Sequence, residues 1–284
     1  SVAEFLCRKL HDEIIRLENK ISHFMSVSDV SYINQHAAQK HVEVDKELFS
    51  ILKKCLEFSE KTNGFFDITS LPVLELWYQY QQNSESLHPE QQEIDFELEK
   101  TGYQHVLLND QTSAVHFDQP GVKIDLSGIG KGYALDKVRE ILFQHDVQNA
   151  FVSFGESSIL AMGQHPYGDS WRIGIQHAFS PGVSIKTLEL NNMSLSTSGM
   201  RPMKEIKSQM SRFHIINPKT GNLIEDRKTI TVISASATEA EVISTALVAS
   251  DDEHKKHILN RFPDSQVIEI TYHRDETVDI NMLQ

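Results

Sequence analysis

The chain has 284 residues, of which 39% are hydrophobic and 24% are charged. This composition, with no low-complexity run, excludes a disordered or fibrous protein and fits one large globular domain or two modest lobes. The formal net charge of −13 disfavours nucleic acids and anionic membranes as partners, because such partners are bound through clustered Lys and Arg side chains.

The sequence contains no transmembrane segment and no zinc motif. No apolar run approaches the ~18 residues needed to span a bilayer. The two cysteines, Cys7 and Cys55, lack the spacing of a metal site, and we expect both thiols to be free and buried. The chain begins at Ser1 and shows no signal peptide. We expect a periplasmic or cell-envelope protein whose N-terminal segment has been removed, with the cytoplasm as the alternative.

The first third of the chain predicts three helices. Apolar side chains recur every three or four residues from Leu6 to Ile21, which is typical of an amphipathic helix, and the polar stretch SVSDVSYIN ends it. A second helix begins after Asp45, a good N-cap, and a third holds Pro72 in its first turn. Residues 81–95 are polar and predict a surface excursion.

Strands dominate the middle of the sequence. A helix is predicted at about 132–144, and two more follow at about 238–250 and 252–260. Since helices come first and strands follow as a group, the fold class is α+β rather than a repeating βαβ unit. The predicted strands are 106–108, 115–117, 122–126, AFVSFG, SILAMG, WRIGIQ, SIKTLEL, FHII, TITVIS and QVIEITYH.

The glycine-rich stretch VKIDLSGIGKGYALDKV spans residues 122–138. Its spacing matches neither the P-loop nor the dinucleotide-binding fingerprint. Gly128, Gly130 and Gly132 alternate before a predicted helix, and Lys131 lies among them. Two interpretations stay open: a backbone that approaches a bound anion at a helix N-terminus, or a tight turn with a solvent-facing lysine.

Two further stretches also have both a structural and a functional interpretation. In NGFFDIT, Phe65 and Phe66 either anchor the core or line a pocket for a planar ring. Asp67 follows them and can simply cap the next turn. LSTSGM, residues 195–200, predicts a turn of small residues.

The later stretches TEAEVIST and SRFHIINPKTGN contain candidate metal and acid–base groups. Glu241, Ser244 and Thr245 share one helix face, and their oxygen atoms suit Mg²⁺ better than zinc. The alternative is a capped helix start with an exposed glutamate. His214 lies within a predicted strand that runs into an Asn-Pro turn, where it is either a proton-transfer group or an ordinary histidine.

Taken in this order, the segments resemble the FAD:protein FMN transferase family, the ApbE-like flavin transferases. The resemblance runs from about Ile21 to the end and implies one α+β domain over residues 1–284, with mixed or antiparallel sheets, packed helices and a flavin site between two lobes. The family's first strand is missing from this chain. The matching segments are ISHFMSVSDVSYIN, TNGFFDITSLPVLELW, IDLSGIGKGYALDKV, FVSFGESSILAMG, WRIGIQ, LSTSGM, FHIINPKTG and TVISASATEAEVISTAL.

The resemblance implies Mg²⁺-dependent cleavage of FAD, transfer of FMN to a Thr or Ser hydroxyl of a target flavoprotein, and release of AMP. FAD would be the substrate and a flavoprotein the partner. Two alternatives stay open: an FAD pyrophosphatase that uses water, and a non-catalytic FAD-binding homologue. The non-catalytic alternative is motivated by the missing first strand and by Glu241 and Ser244. The family normally has Asp where Glu241 stands, and it often has a second Asp where Ser244 stands.

The resemblance also implies roles for individual residues. His214 would be the base that activates the incoming hydroxyl. The metal would be held by the Gly128 carbonyl, Glu241, Ser244 and Thr245. The flavin nucleotide would be bound by Phe24, Phe65, Phe66, Asp67, Asp125, Lys131 and Ile216.

Overall fold

The computed structural model describes residues 2–82, 88–155, 157–180, 182–199 and 215–284. Within these ranges the chain forms eight α-helices, one short 3₁₀ helix and eleven strands. The predicted α+β class is confirmed. No helix in these ranges is long and apolar enough to cross a bilayer.

The helices pack their apolar faces on the sheets and on one another. Polar side chains cap several of their N-termini: Asp45 accepts a hydrogen bond from the backbone of Leu48 at 2.8 Å, as the sequence predicts for the second long helix. The helices are α1 Val2–Ile21, α2 Asp29–His36, α3 Lys46–Lys61, α4 Leu71–Gln82, α5 Gln91–Leu98, α6 Ser127–Gln144, α7 Ala237–Ala249 and α8 Asp252–Arg261.

The strands form three sheets in the described part of the chain, and every pairing in them is antiparallel. The strand orders are β1-β3-β2, β11-β10-β9-β8-β5-β4 and β6-β7. The strands are β1 Val42–Glu43, β2 Val106–Asn109, β3 Ala114–Phe117, β4 Ala150–Phe154, β5 Ser158–Met162, β6 Trp171–Gln176, β7 Ser184–Leu190, β8 Met193–Gly199, β9 Lys228–Ser234, β10 Gln266–Tyr272 and β11 Val278–Met282.

Helix α7 is the central element of the core. Eleven of its thirteen residues are buried, because it packs against α6, α8 and strands of the six-stranded sheet. Such burial is expected for a helix that is apolar all round, with Val242, Ile243 and Leu247 in the main core. Glu241 and Ser244 lie on the same helix and are therefore buried as well.

Helix α6 approaches α7 backbone to backbone at Gly132. A Cβ atom at Gly132 would lie 2.8 Å from the Thr238 Cα and even closer to the Ala237 carbonyl. One turn later, the Asp136 carboxylate accepts hydrogen bonds from the backbone N–H groups of Ala237 and Thr238 at 2.9 and 3.0 Å. Because carboxylates are favourable at helix N-termini, Asp136 fixes the start of α7 on α6.

Two predictions around the glycine-rich stretch are wrong. Residues 122–126 form no strand; the backbone N–H and carbonyl of Ile124 instead bond to the Asn34 side chain, at 2.7 and 2.9 Å. Helix α6 begins at Ser127, five residues before the predicted start. The alternating glycines therefore lie in the first turns of the helix and not in a loop before it.

The predicted turn at 195–200 is also wrong as far as the structure describes it, because residues 195–199 belong to β8. Its side chains are small and polar, but the strand is held by cross-strand contacts such as Thr197 Oγ1 to Thr231 Oγ1 at 2.9 Å. The surface excursion predicted for residues 81–95 contains the start of α5. The short elements α2, β1 and β11 were not predicted. Cys55 is buried as predicted, whereas Cys7 is exposed and the prediction for it is wrong.

We predict that Gly132→Ala destabilises the protein by about 1–3 kcal/mol, because the added methyl group would overlap backbone atoms that cannot rotate away. Urea unfolding measures the change. The matched control is Gly168→Ala, where the nearest heavy atom would be 4.0 Å from the new Cβ, and here we expect little change. Equal stability of the two variants would contradict backbone packing of α6 on α7.

Candidate active site

A cleft of about 1260 Å³ lies between strands and helices. Strands β4, β5, β6, β8 and β9 line it, and so do the first turns of α6 and the middle of α7. Nine of the twelve residues predicted for the site line it, although they come from distant parts of the chain. The nine are Phe65, Phe66, Asp67, Asp125, Gly128, Lys131, Ile216, Glu241 and Thr245.

The other three predicted residues are placed differently. Phe24 is 75% exposed, stacks on His23 with ring centroids 3.8 Å apart, and does not line the cleft as described. Ser244 is fully buried behind the cleft wall. His214 lies outside the described residues, although its near neighbour Ile216 lines the cleft. The roles of these residues stay predictions.

The carboxylate of Glu241 is the buried charge at the centre of the site. It is 2% exposed, and its Oε2 accepts a hydrogen bond from the Gly132 backbone N–H at 2.5 Å. Its Oε1 lies 2.6 Å from the Lys131 Nζ, which makes an ion pair. Apart from this ion pair, Oε1 has no hydrogen-bond partner among the described residues. One oxygen is thus fixed on α6, and the other is held by charge alone.

A cluster of hydroxyl groups joins α7 to β8 beside this carboxylate. The Ser244 Oγ lies 2.8 Å from the Ser198 Oγ and 3.2 Å from the Ser196 Oγ, and it donates to the Glu241 carbonyl at 3.0 Å. The Thr245 Oγ1 lies 3.3 Å from the same Ser198 Oγ. The sequence did not reveal Ser198, because the stretch was interpreted as a turn; the run of three consecutive hydroxyl residues at 196–198 was the available signal.

Asp125 lies just before α6 and is held by three donors. Its carboxylate accepts hydrogen bonds from the Ser127 N–H and Oγ, both at 2.7 Å, and makes an ion pair with the His23 Nδ1 at 2.9 Å. Burial raises the pKa of Asp125, but the bonds from His23 and Ser127 outweigh burial and lower the pKa below its ordinary value. Asp125 is therefore ionised at neutral pH, and His23 is a partner that the sequence did not reveal.

The FFD segment caps a turn, packs in the core and also lines the cleft. Asp67 accepts hydrogen bonds from the Thr69 N–H and Oγ1, at 2.8 and 2.6 Å, and from the Tyr103 N–H at 2.8 Å. It thus caps the turn, and burial raises its pKa against the effect of these bonds. Phe65 and Phe66 are both 4% exposed and belong to the main core, yet each also lines the cleft.

The residues at the cleft wall fit a weakly held hard cation. No group of three or more His, Cys, Asp and Glu side chains in the described ranges is placed to hold a metal. The available donors are the Glu241 Oε1, the Thr245 hydroxyl and the Gly128 carbonyl. A Cβ at Gly128 would lie 3.9 Å from Thr245, so these two residues are neighbours. All three donors are oxygen atoms, which Mg²⁺ prefers, and Glu241 Oε1 makes an ion pair but no hydrogen bond among the described residues.

The model of the ApbE family matches residues 2–268, nearly the whole chain. The chain belongs to the ApbE family. The resemblance indicated by the sequence motifs is thereby confirmed. The match extends over both the helical and the strand-rich regions, so the nine predicted residues that line the cleft all lie within the matched part of the chain.

Relatives of this ApbE chain include enzymes and solved structures. An FAD:protein FMN transferase of Escherichia coli (strain K12) is 28% identical over 261 residues, which are 90% of this chain and 74% of that protein. The crystal structure of the ApbE protein of Thermotoga maritima has a TM-score of 0.83 at 30% identity and covers 97% of this chain and 88% of that one. The flavinyl transferase ApbE of Pseudomonas stutzeri has a TM-score of 0.82 at 25% identity, with 98% and 86% covered.

We predict that Asp125→Asn lowers the free energy of unfolding by about 1–3 kcal/mol near pH 5, because hydrogen bonds to a charged group are lost. A carboxyl with a lowered pKa stabilises the fold above its ordinary pKa of 3.8, and this contribution is lost as the pH falls through the folded-state pKa. The difference between the two proteins should therefore shrink below pH 3.8.

Urea unfolding over this pH range measures the effect. The control is Asp110→Asn, which removes an exposed carboxylate with one surface ion pair to Lys53, and it should change stability little. A difference between Asp125→Asn and the unmodified protein that stays constant down to acid pH would contradict the assignment.

Proposed function

We propose that this chain is an FAD:protein FMN transferase, which cleaves FAD and transfers FMN to a hydroxyl group of a target flavoprotein. The observation that carries the proposal is the convergence of nine predicted site residues on one cleft in a chain of the ApbE family. The cleft exceeds the roughly 300–1,000 Å³ of typical small-molecule sites, which suits a ligand as large as a dinucleotide.

The charges of the cleft support a requirement for a divalent cation. Four carboxylate residues line its described part, Asp67, Asp125, Glu225 and Glu241, against two permanent cations, Lys131 and Arg227. The diphosphate of FAD would add further negative charge. Phosphoryl transfer depends on neutralising the charge of the transferred group, and one of the two cations is already paired with Glu241.

Mg²⁺ fits this need. Glu241, Thr245 and the Gly128 carbonyl would hold it at the cleft wall, while Ser244 supports Glu241 and Thr245 from behind through the hydroxyl cluster. The bound ion would neutralise the diphosphate and stabilise the AMP leaving group.

The chain's own residues would orient the substrate. Phe65 and Phe66 offer an apolar wall for a planar ring, and their burial in the core keeps this wall rigid. Lys131 is 45% exposed, so its flexible side chain can reach a phosphate in the cleft. These positions favour a diphosphate near the first turn of α6, where the helix dipole is positive.

The transfer itself needs a hydroxyl from the acceptor protein. The P–O bond between the two phosphates breaks, AMP leaves, and a phosphoester forms with a Thr or Ser side chain. We propose His214 as the base that accepts the hydroxyl proton. This rests on its position in the sequence just before the Asn-Pro turn and on Ile216, two residues later, which lines the cleft. The Thr or Ser specificity, the single-domain extent and the compartment stay predictions from the sequence.

The test incubates the protein with FAD, Mg²⁺ and the acceptor domain of a flavoprotein. We expect covalent flavin fluorescence on the acceptor after denaturing electrophoresis, together with release of AMP. FMN and AMP released at the same rate without acceptor would indicate water as the acceptor. Stoichiometric FAD binding without turnover at any Mg²⁺ concentration would contradict an enzymatic role.

We predict that Glu241→Gln lowers the transfer rate on the order of 100-fold, because it removes the carboxylate charge that we propose holds the cation at the cleft wall. The rate is measured as flavin label per acceptor at fixed Mg²⁺. Glu239→Gln, two residues away on α7, is the matched control and should leave the rate unchanged. Thermal melts establish that both variants fold. Equal rates of Glu241→Gln and the control would contradict the assigned role.

A further inference from the structure

We infer that Lys131 and a divalent cation compete for the same oxygen atom, the Oε1 of Glu241, so that Lys131 controls metal affinity. The inference rests on the proposed function, since it concerns the same cleft. Its consequence is that Lys131 has two positions: paired with Glu241 when no metal is bound, and released into the cleft when the metal takes its place.

The geometry of Glu241 leaves a metal one oxygen to bind. The other oxygen, Oε2, accepts the hydrogen bond from the Gly132 N–H, which cannot move because Gly132 packs backbone to backbone on α7. Oε1 lies 2.6 Å from the Lys131 Nζ and has no hydrogen-bond partner among the described residues. A metal on Oε1 would bring two positive charges together in a buried site, which repel strongly at low dielectric. The ammonium group must therefore leave.

The two partners differ in their freedom to move. The Glu241 side chain is 3% exposed and fixed by α6, whereas the Lys131 side chain is 45% exposed. Because the Lys131 side chain is partly exposed, its ammonium group can leave the ion pair and remain solvated by water or bind a phosphate. Lys131 is the partner that moves.

The competition couples the metal to the substrate. A diphosphate in the cleft attracts the Lys131 ammonium and frees Glu241 Oε1, and by reciprocity a bound metal frees Lys131 for the diphosphate. Without either ligand, only the molecules in which Oε1 is free can bind the metal, so the apparent metal affinity is the intrinsic affinity multiplied by that free fraction. A free fraction of about one tenth therefore weakens metal binding about tenfold.

The first experiment uses the unmodified protein without FAD. Lysine side chains are acetylated with an N-hydroxysuccinimide ester, and the rate at Lys131 is followed by peptide mass spectrometry with and without saturating Mg²⁺. Lys137 serves as the internal reference, because it lies on the same helix and pairs with the exposed Glu140 at 2.8 Å. We expect Mg²⁺ to raise the rate at Lys131 and leave Lys137 unchanged. An unchanged or lower rate at Lys131 overturns the inference.

The second experiment titrates Mg²⁺ by calorimetry into apo proteins. Lys131→Met should bind the metal about tenfold more tightly than the unmodified protein, because its competitor is gone. Lys137→Met, which removes an ion pair elsewhere on α6, should bind as the unmodified protein does. If Lys131→Met folds poorly, Lys131→Gln, which retains a polar side chain, replaces it in the titration, and we expect the same tighter binding. Equal or weaker binding by the Lys131 variants, or no binding by any protein, overturns the inference.

These readouts are separate from flavin transfer. Tighter metal binding in Lys131→Met supports the competition even if no acceptor is ever labelled. Conversely, transfer activity with unchanged metal affinity in Lys131→Met overturns the competition and leaves the proposed function intact.

Discussion

The close contact of α6 with α7 at Gly132 is the constraint on which both the core and the site depend. The missing side chain lets the two backbones meet, and no other residue type would fit without moving a helix. The same contact aims the Gly132 N–H at Glu241 and places Asp136 at the N-terminus of α7. A buried apolar helix is thereby fixed in position by a few polar bonds at its first two turns.

This arrangement explains how a carboxylate can be kept at the centre of a hydrophobic core. Burying an unpaired charge costs several kcal/mol, so both oxygens of the Glu241 carboxylate need a partner. It receives a backbone N–H on one oxygen and an ammonium on the other, while Ser244 bonds to its backbone carbonyl. The site is thus satisfied without a metal, but only by committing a lysine that the substrate also needs. The Lys131 side chain thus stabilises the empty cleft and is also needed to bind the substrate.

Local sequence signals predicted the elements that local physics determines. Asp45 caps α3 with its own side chain, and the apolar repeat of α1 is visible without any partner. The errors occur where distant residues decide. Residues 122–126 look like a strand because apolar Val122, Ile124 and Leu126 alternate with polar residues. The side chain of Asn34, 90 positions earlier in the chain, instead takes the backbone bonds of Ile124 that a neighbouring strand would have taken. Strand β8 looks like a turn because its small hydroxyl residues gain their order only from β5, β9 and α7.

The same division applies within the site. The residues that carry charge or aromatic rings were predictable because their type and spacing are unusual, and six of the nine predicted residues that line the cleft are of this kind. Their partners were not predictable: His23 is ordinary in sequence until Asp125 lies beside it, and Ser198 is one of several serines until α7 packs on β8. Lys131 shows the limit most clearly. A lysine among glycines indicates an anion site, but its nearest charge is Glu241, 110 residues later. A motif can therefore name the chemical groups of a site, whereas only the packing of α6 on α7 determines which of those groups is free to act.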